Sequence, residues 1–203
     1  MSIAVLAGLG NPGEEYADTR HNIGWLVLDA LASGSSLTWT RDRNANAMVA
    51  RWELPSRPAV LLVKPLTYVN ESGQSLRRAC DYFRHPPTSV AVVYDDLTMP
   101  VGRLKISVNG SAGGHNGVQS LIDHLGAGFV RFRIGIGPRT PPQIDLKDFV
   151  LGRFPPADRQ LIDHQLSHYI KGLELLATRG LEPAMNQLNR RFPSANDTDQ
   201  AQV

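Results

Sequence analysis

The 203-residue sequence predicts an α/β fold: a single domain with one twisted, mixed and largely parallel β-sheet flanked by helices. Three observations carry this expectation. Apolar runs of strand length recur along the chain, stretches with the helical i, i+3, i+4 spacing follow them, and loops rich in glycine and asparagine join the two.

Residues 3–7 are a short apolar run that ends in Gly8-Leu9-Gly10-Asn11-Pro12-Gly13, a strand running into a turn. Ile23, Leu26, Val27, Ala30 and Leu31 then share one helix face, with Asn22 placed as its N-cap. The unit repeats. Strands at 48–52 and 59–63 lead through Lys64-Pro65 and Tyr68-Val69-Asn70 into a helix striped by Leu76, Ala79, Cys80 and Phe83. A strand at 90–94 ends in Asp95-Asp96, and another through Leu104, Ile106 and Val108 reaches the glycine-rich Gly110 to Gly117 segment. Val118, Leu121, Ile122 and Leu125 mark a third helix, before a strand at 132–136 that alternates with Arg131 and Arg133. After Pro155-Pro156 comes a longer helical stretch through Leu161, Ile162, Tyr169, Ile170, Leu173 and Leu176.

Hydrophobic residues form 42% of the chain, enough for a substantial core in one domain, placed over residues 1–192. The polar stretch 193–203 is expected to be a disordered tail. A net charge of +2 gives little overall pull on a polyanion, so nucleic-acid contact would need local clustering of basic residues. Cys80 is the single cysteine, which excludes an internal disulfide, and the first residues lack the features of a secretory signal. A cytoplasmic location is expected. No apolar run approaches the roughly 20 residues that cross a bilayer, so no membrane role is expected.

Three strand-to-helix junctions carry an asparagine, Asn11, Asn70 and Asn116, and two carry a histidine nearby, His21 and His115. In open α/β sheets ligands bind at the carboxyl ends of strands, where such loops gather, although asparagine also serves as a plain cap or turn residue. The Gly8 to Gly13 segment has the letters of a dinucleotide fingerprint, but Pro12 and a polar stretch delay the helix whose N-terminus would hold the pyrophosphate. Gly110 to Gly117 lacks the Gly-Lys-Ser/Thr ending of a phosphate loop. His164 and His168 stand four apart, but Gln165 lies between them in place of a zinc protease's glutamate. With no Gly-x-Ser-x-Gly elbow, and with Cys80 on an apolar stripe, hydrolysis would use water directly. His21 is the natural base, and an acid at a strand end such as Asp95 would fix its tautomer, although a lone histidine before a helix also serves as a packing residue.

Several segments together resemble the bacterial peptidyl-tRNA hydrolase family. They are Gly8-Leu9-Gly10-Asn11-Pro12-Gly13 with Tyr16, Thr19-Arg20-His21-Asn22 and Gly24, Lys64-Pro65 to Asn70 with Ser72-Gly73, Asp95-Asp96-Leu97, Gly113-Gly114-His115-Asn116-Gly117, and Arg133-Ile134-Gly135-Ile136-Gly137. The resemblance implies a monomeric hydrolase without metal or cofactor that cleaves the ester between a peptide and the 3′ ribose of tRNA. It implies His21 as general base, Asp95 as its orienting carboxylate, and Asn11 as a group that positions the substrate or its oxyanion. Asn70 and Asn116 would hold the peptide, the attacking water or the 3′ end, and Tyr16, Tyr68 and His115 would line the cleft. Lys105 and Arg133 would meet a phosphate of the acceptor stem, a contact that positions tRNA without reading sequence.

The sequence departs from the family pattern in two places. Tyr68-Val69-Asn70 stands where many members have Phe-Met-Asn, and Ser107 stands where a second basic residue often follows Lys105. The competing readings are an RNA-binding relative without hydrolysis, an esterase on another acyl ester, and a nicotinamide oxidoreductase.

Overall fold

The computed structural model describes residues 2–189; the expected tail at 193–203 lies outside the described residues. The strands are β1 (Val5–Gly8), β2 (Thr40–Asp42), β3 (Ala47–Trp52), β4 (Val60–Pro65), β5 (Val90–Pro100), β6 (Leu104–Val108) and β7 (Val130–Gly137). The helices are α1 (Ile23–Gly34), α2 (Ser72–Phe83), α3 (Asn116–Leu125), α4 (Leu146–Leu151), α5 (Pro156–Arg179) and α6 (Leu181–Leu188). All the strands join one sheet in the order β2-β3-β4-β1-β5-β7-β6.

The central block β4-β1-β5-β7 is parallel, with β3 and β6 antiparallel on its two sides and β2 antiparallel to β3 at one edge. The mixed, largely parallel sheet is therefore present. Parallel strands covered on both faces read as unbroken apolar runs, and residues 90–94 of β5 are all buried. Leu6, Ala91 and Val93 pack with α1, α4, α5 and α6 on one face, whereas Val5, Ala7, Val92 and Tyr94 pack with α2 and α3 on the other.

One close approach sets the site. A Cβ on Gly24 would lie 2.4 Å from Val93 O and 2.6 Å from Leu9 N, and one on Gly8 would lie 2.5 Å from Gly24 O. The start of α1 thus meets the ends of β1 and β5 backbone to backbone. His21, in the 3₁₀ turn Arg20–Asn22 ahead of α1, is thereby delivered to the carboxyl end of β5, where Asp95 lies.

The structure corrects several local expectations. Asn22 precedes α1 but its side chain makes no capping bond, because its amide is committed to the Asn11 backbone. β5 does not end at Asp95-Asp96 but runs on to Pro100 through a register shift against β7. β2, α4 and α6 were not anticipated as separate elements. Leu161, placed on the apolar stripe of the long helix, is exposed, while Ile162, Tyr169, Leu173 and Leu176 are buried. Tyr169 is anchored at both ends of its character, its ring in the core and its hydroxyl donating to Gly102 O at 2.7 Å.

Candidate active site

The loops after β1 and β4, the end of β5 and the start of α3 converge on one cleft of about 930 Å³. Asn11, Tyr16, His21, Tyr68, Asn70, Asp95, His115, Asn116 and Arg133 all line it, and Lys105 does not. His164 and His168 lie on α5 and contribute nothing to its lining. Cys80 is buried in α2, and burial pushes its thiol up to about 11, far from a reactive thiolate.

Asp95 is 3% exposed and stands behind two histidines. His21 Nδ1 lies 2.9 Å from Asp95 Oδ1 and 3.0 Å from Oδ2, while His115 Nε2 lies 3.1 Å from Oδ1. A carboxylate only accepts, so the neutral His21 ring carries its proton on Nδ1 and leaves the Nε2 lone pair free, without a protein partner among the described residues. Burial opposes charging His21, but the charge of Asp95 and its hydrogen bond more than offset this, and the imidazole is held above its ordinary value of 6.5. Burial alone would raise the Asp95 carboxyl, yet the two histidines drive it well below the usual carboxylate range.

These three side chains also bring ligand-type atoms within 4.8 Å of one another. Their hydrogen bonding does not suit a metal. His115 Nδ1 accepts the Val118 N–H at 3.2 Å, which puts the ring proton on Nε2 and leaves no lone pair there for an ion. Metal-bound imidazoles have the opposite arrangement, with the distal nitrogen donating.

Asn11 is fixed from three directions. Its backbone N–H donates to Asn22 Oδ1 at 2.9 Å, its carbonyl accepts from Asn22 Nδ2 at 3.0 Å, and its own Oδ1 accepts the Val69 N–H at 2.9 Å. With Oδ1 occupied, the amide presents Nδ2 as a donor that has no protein partner among the described residues. Asn22 was missed as a site residue because its position before a helix gave it a sufficient local explanation. Asn70 and Asn116 are exposed on the cleft, and neither caps its helix by a side-chain bond; the cap of α3 is His115. Tyr16 and Tyr68 meet edge to face with centroids 6.4 Å apart.

The basic end of the cleft is more occupied than the sequence suggested. Arg133 Nη1 donates to Asp96 Oδ2 at 3.0 Å, and the buried Arg131 holds the carbonyls of Ser111 and Gly110 at 2.6 and 2.5 Å, pinning the glycine-rich loop. Lys105 is exposed on β6 directly opposite Arg133. Leu146, Val150 and Leu151 of α4 add an apolar wall. Arg20 ties that helix to the residue before His21: its Nη1 donates to Phe149 O at 3.0 Å, and its guanidinium lies 4.2 Å from the Phe149 ring centre.

The sequence model of the family described as Peptidyl-tRNA hydrolase matches residues 5–197. The chain belongs to the peptidyl-tRNA hydrolase family. A peptidyl-tRNA hydrolase of Gloeobacter violaceus is 43% identical over 192 residues, which cover 94% of this chain and 96% of that protein. Another, from Chloroflexus aurantiacus, is 41% identical over 187 residues, covering 91% and 98%. The solved peptidyl-tRNA hydrolase of Acinetobacter baumannii has a TM-score of 0.87 at 34% identity, covering 95% of this chain and 97% of that one. The span matched to the peptidyl-tRNA hydrolase family includes the whole His21–Asp95–His115 cluster and the Asn11–Asn22 clamp. Among the described residues no helix is long and apolar enough to cross a membrane.

Proposed function

We propose that this chain hydrolyses the ester joining a peptide to the 3′ ribose of tRNA, using water activated by His21. The observation that carries the reading is the Nδ1 pairing of His21 with buried Asp95, which leaves Nε2 as a base in a cleft of a peptidyl-tRNA hydrolase family member. Water attacks the ester carbonyl as its proton passes to Nε2, and Asp95 stabilises the imidazolium. Asn11 Nδ2 donates to the developing oxyanion. Collapse breaks the bond to the ribose oxygen, which takes the proton back from Nε2. An ester needs no covalent intermediate here, since a positioned water, a base and amide donors suffice.

Asn70 and Asn116 hold the peptide backbone and the 3′ end, with Tyr16, Tyr68 and the α4 leucines as walls. Lys105, with Arg133 once shared or released by Asp96, meets a phosphate of the acceptor stem. The enzyme acts as a monomer in the cytoplasm, with residues 1–192 as its single domain and neither metal nor cofactor in the step.

The test is release of N-acetyl amino acid from N-acetyl-aminoacyl-tRNA in the presence of chelator, with unblocked aminoacyl-tRNA as the control ester. Release from the blocked ester alone is expected. Binding of tRNA without release would replace the enzyme by an RNA-binding relative, equal cleavage of both esters would make it a general esterase, and loss of activity in chelator would restore a metal.

A further inference from the structure

The reaction proposed above uses His21 on one side of Asp95, but a second imidazole contacts the same carboxylate oxygen. His115 Nε2 lies 3.1 Å from Asp95 Oδ1, which His21 Nδ1 reaches at 2.9 Å. The two rings are 4.9 Å apart between centroids, and Tyr94 closes on His115 edge to face at 5.2 Å. The His115 proton has a fixed place. His115 is the N-cap of α3, and its Nδ1 accepts the Val118 N–H, so the ring's own N–H is at Nε2 and points at Asp95.

We propose that His115 is a positioning residue whose helix-locked Nε2–H withdraws part of Asp95's negative potential from His21 and so sets the pH at which the base becomes free. The positive end of that N–H dipole faces the oxygen on which the His21 imidazolium depends. A carboxylate already bonded at that oxygen holds a protonated His21 less firmly than one bonded to His21 alone.

The surroundings leave this control to Asp95 and His115. Arg20, beside His21 in the chain, is turned to Phe149. The other charged groups on the cleft have their own partners or lie on other elements: Asp96 pairs with Arg133, Arg131 is bound to loop carbonyls, and Asp145 and Lys147 begin α4. Burial raises the Tyr94 phenol above its ordinary value, so that ring stands against His115 uncharged. Asp95 is the charged partner that acts on His21.

His115 stays beside Asp95 through catalysis, and the inference rests on the reading of His21 as base. The test uses two variants of the full chain. His115→Asn keeps a good helix cap but is too short to donate to Asp95, whereas His115→Gln returns an N–H donor at the end of a longer side chain. His115→Ser, the other short cap, serves if the Asn variant does not fold. NMR titration of the His21 ring signals in each protein is expected to give a midpoint raised by about 0.5–1 pH unit in His115→Asn, a three- to tenfold gain in proton affinity, and a midpoint near that of the parent in His115→Gln. The acid limb of kcat/KM should move with it. A His21 midpoint unchanged or lowered in His115→Asn would overturn the inference. The titration needs no substrate, so a shifted midpoint without peptidyl-tRNA turnover would leave this inference standing and remove the hydrolase reading instead.

Discussion

Two histidines contact one carboxylate, and what each ring does with its second nitrogen decides which of them has a lone pair to offer the proposed reaction. His115 has given Nδ1 to the first turn of α3, whereas His21 keeps Nε2 unpartnered among the described residues. The base proposed at His21 would work only when neutral, and Asp95 holds the imidazole above 6.5, so kcat/KM should rise with pH through a midpoint above 6.5. Asp95→Asn removes the charge that raises the imidazole and leaves burial, which lowers it, unopposed. The acid limb should therefore move below 6.5, while the rate on the plateau falls about a hundredfold or more through loss of tautomer control. A pH–rate profile checks both; a limb that stays in place would separate Asp95 from the base. That His21, Asp95 and Asn11 share one cleft was legible from their loops and from the family pattern. The role of Asn22 was not, because its bonds to the Asn11 backbone cross 11 residues of sequence and leave no local trace.

At the scale of elements, the site depends on how closely α1 approaches the strand ends. Gly24→Ala would force a methyl group against Val93 O and Leu9 N, both main-chain atoms that cannot rotate away. The variant should lose about 1–3 kcal/mol in urea unfolding, with activity lost beyond its loss of stability because His21 rides on the same turn. Wild-type stability and turnover would show that the approach has slack. Helices α1, α2, α3 and α5 were legible because each carries an apolar stripe long enough to declare its period. α4 was not, since its six residues bury only Phe149 and it is held by Arg20, more than a hundred residues earlier. The three-residue β2 has an exposed pattern with no alternation to read, and the extension of β5 passes through an irregularity that no apolar run marks.

Over the whole molecule, a net charge of +2 gives tRNA little general attraction, so the proposed phosphate contacts would have to be local. Arg131 is committed to the glycine-rich loop and Arg133 to Asp96, which leaves Lys105 as the exposed cation of the β6–β7 pair. Lys105→Ala should weaken tRNA binding and reduce the slope of log K against log salt by about one, with little change in turnover at saturating substrate. An unchanged slope would move the phosphate site elsewhere. The mixed, largely parallel sheet and the shared cleft followed from the alternation of strands and helices, but the strand order and the pairing of Arg133 with Asp96 did not, the latter because it joins side chains 37 residues apart on neighbouring strands. The most direct test of the account is single-turnover hydrolysis of N-acetyl-aminoacyl-tRNA by the parent chain and His21→Ala, each first shown to melt cooperatively and to bind tRNA. The variant should bind tRNA as the parent does and release product about 10²- to 10⁴-fold more slowly, the range a positioned general base supplies; release at the parent rate would contradict the assignment of His21 as the base.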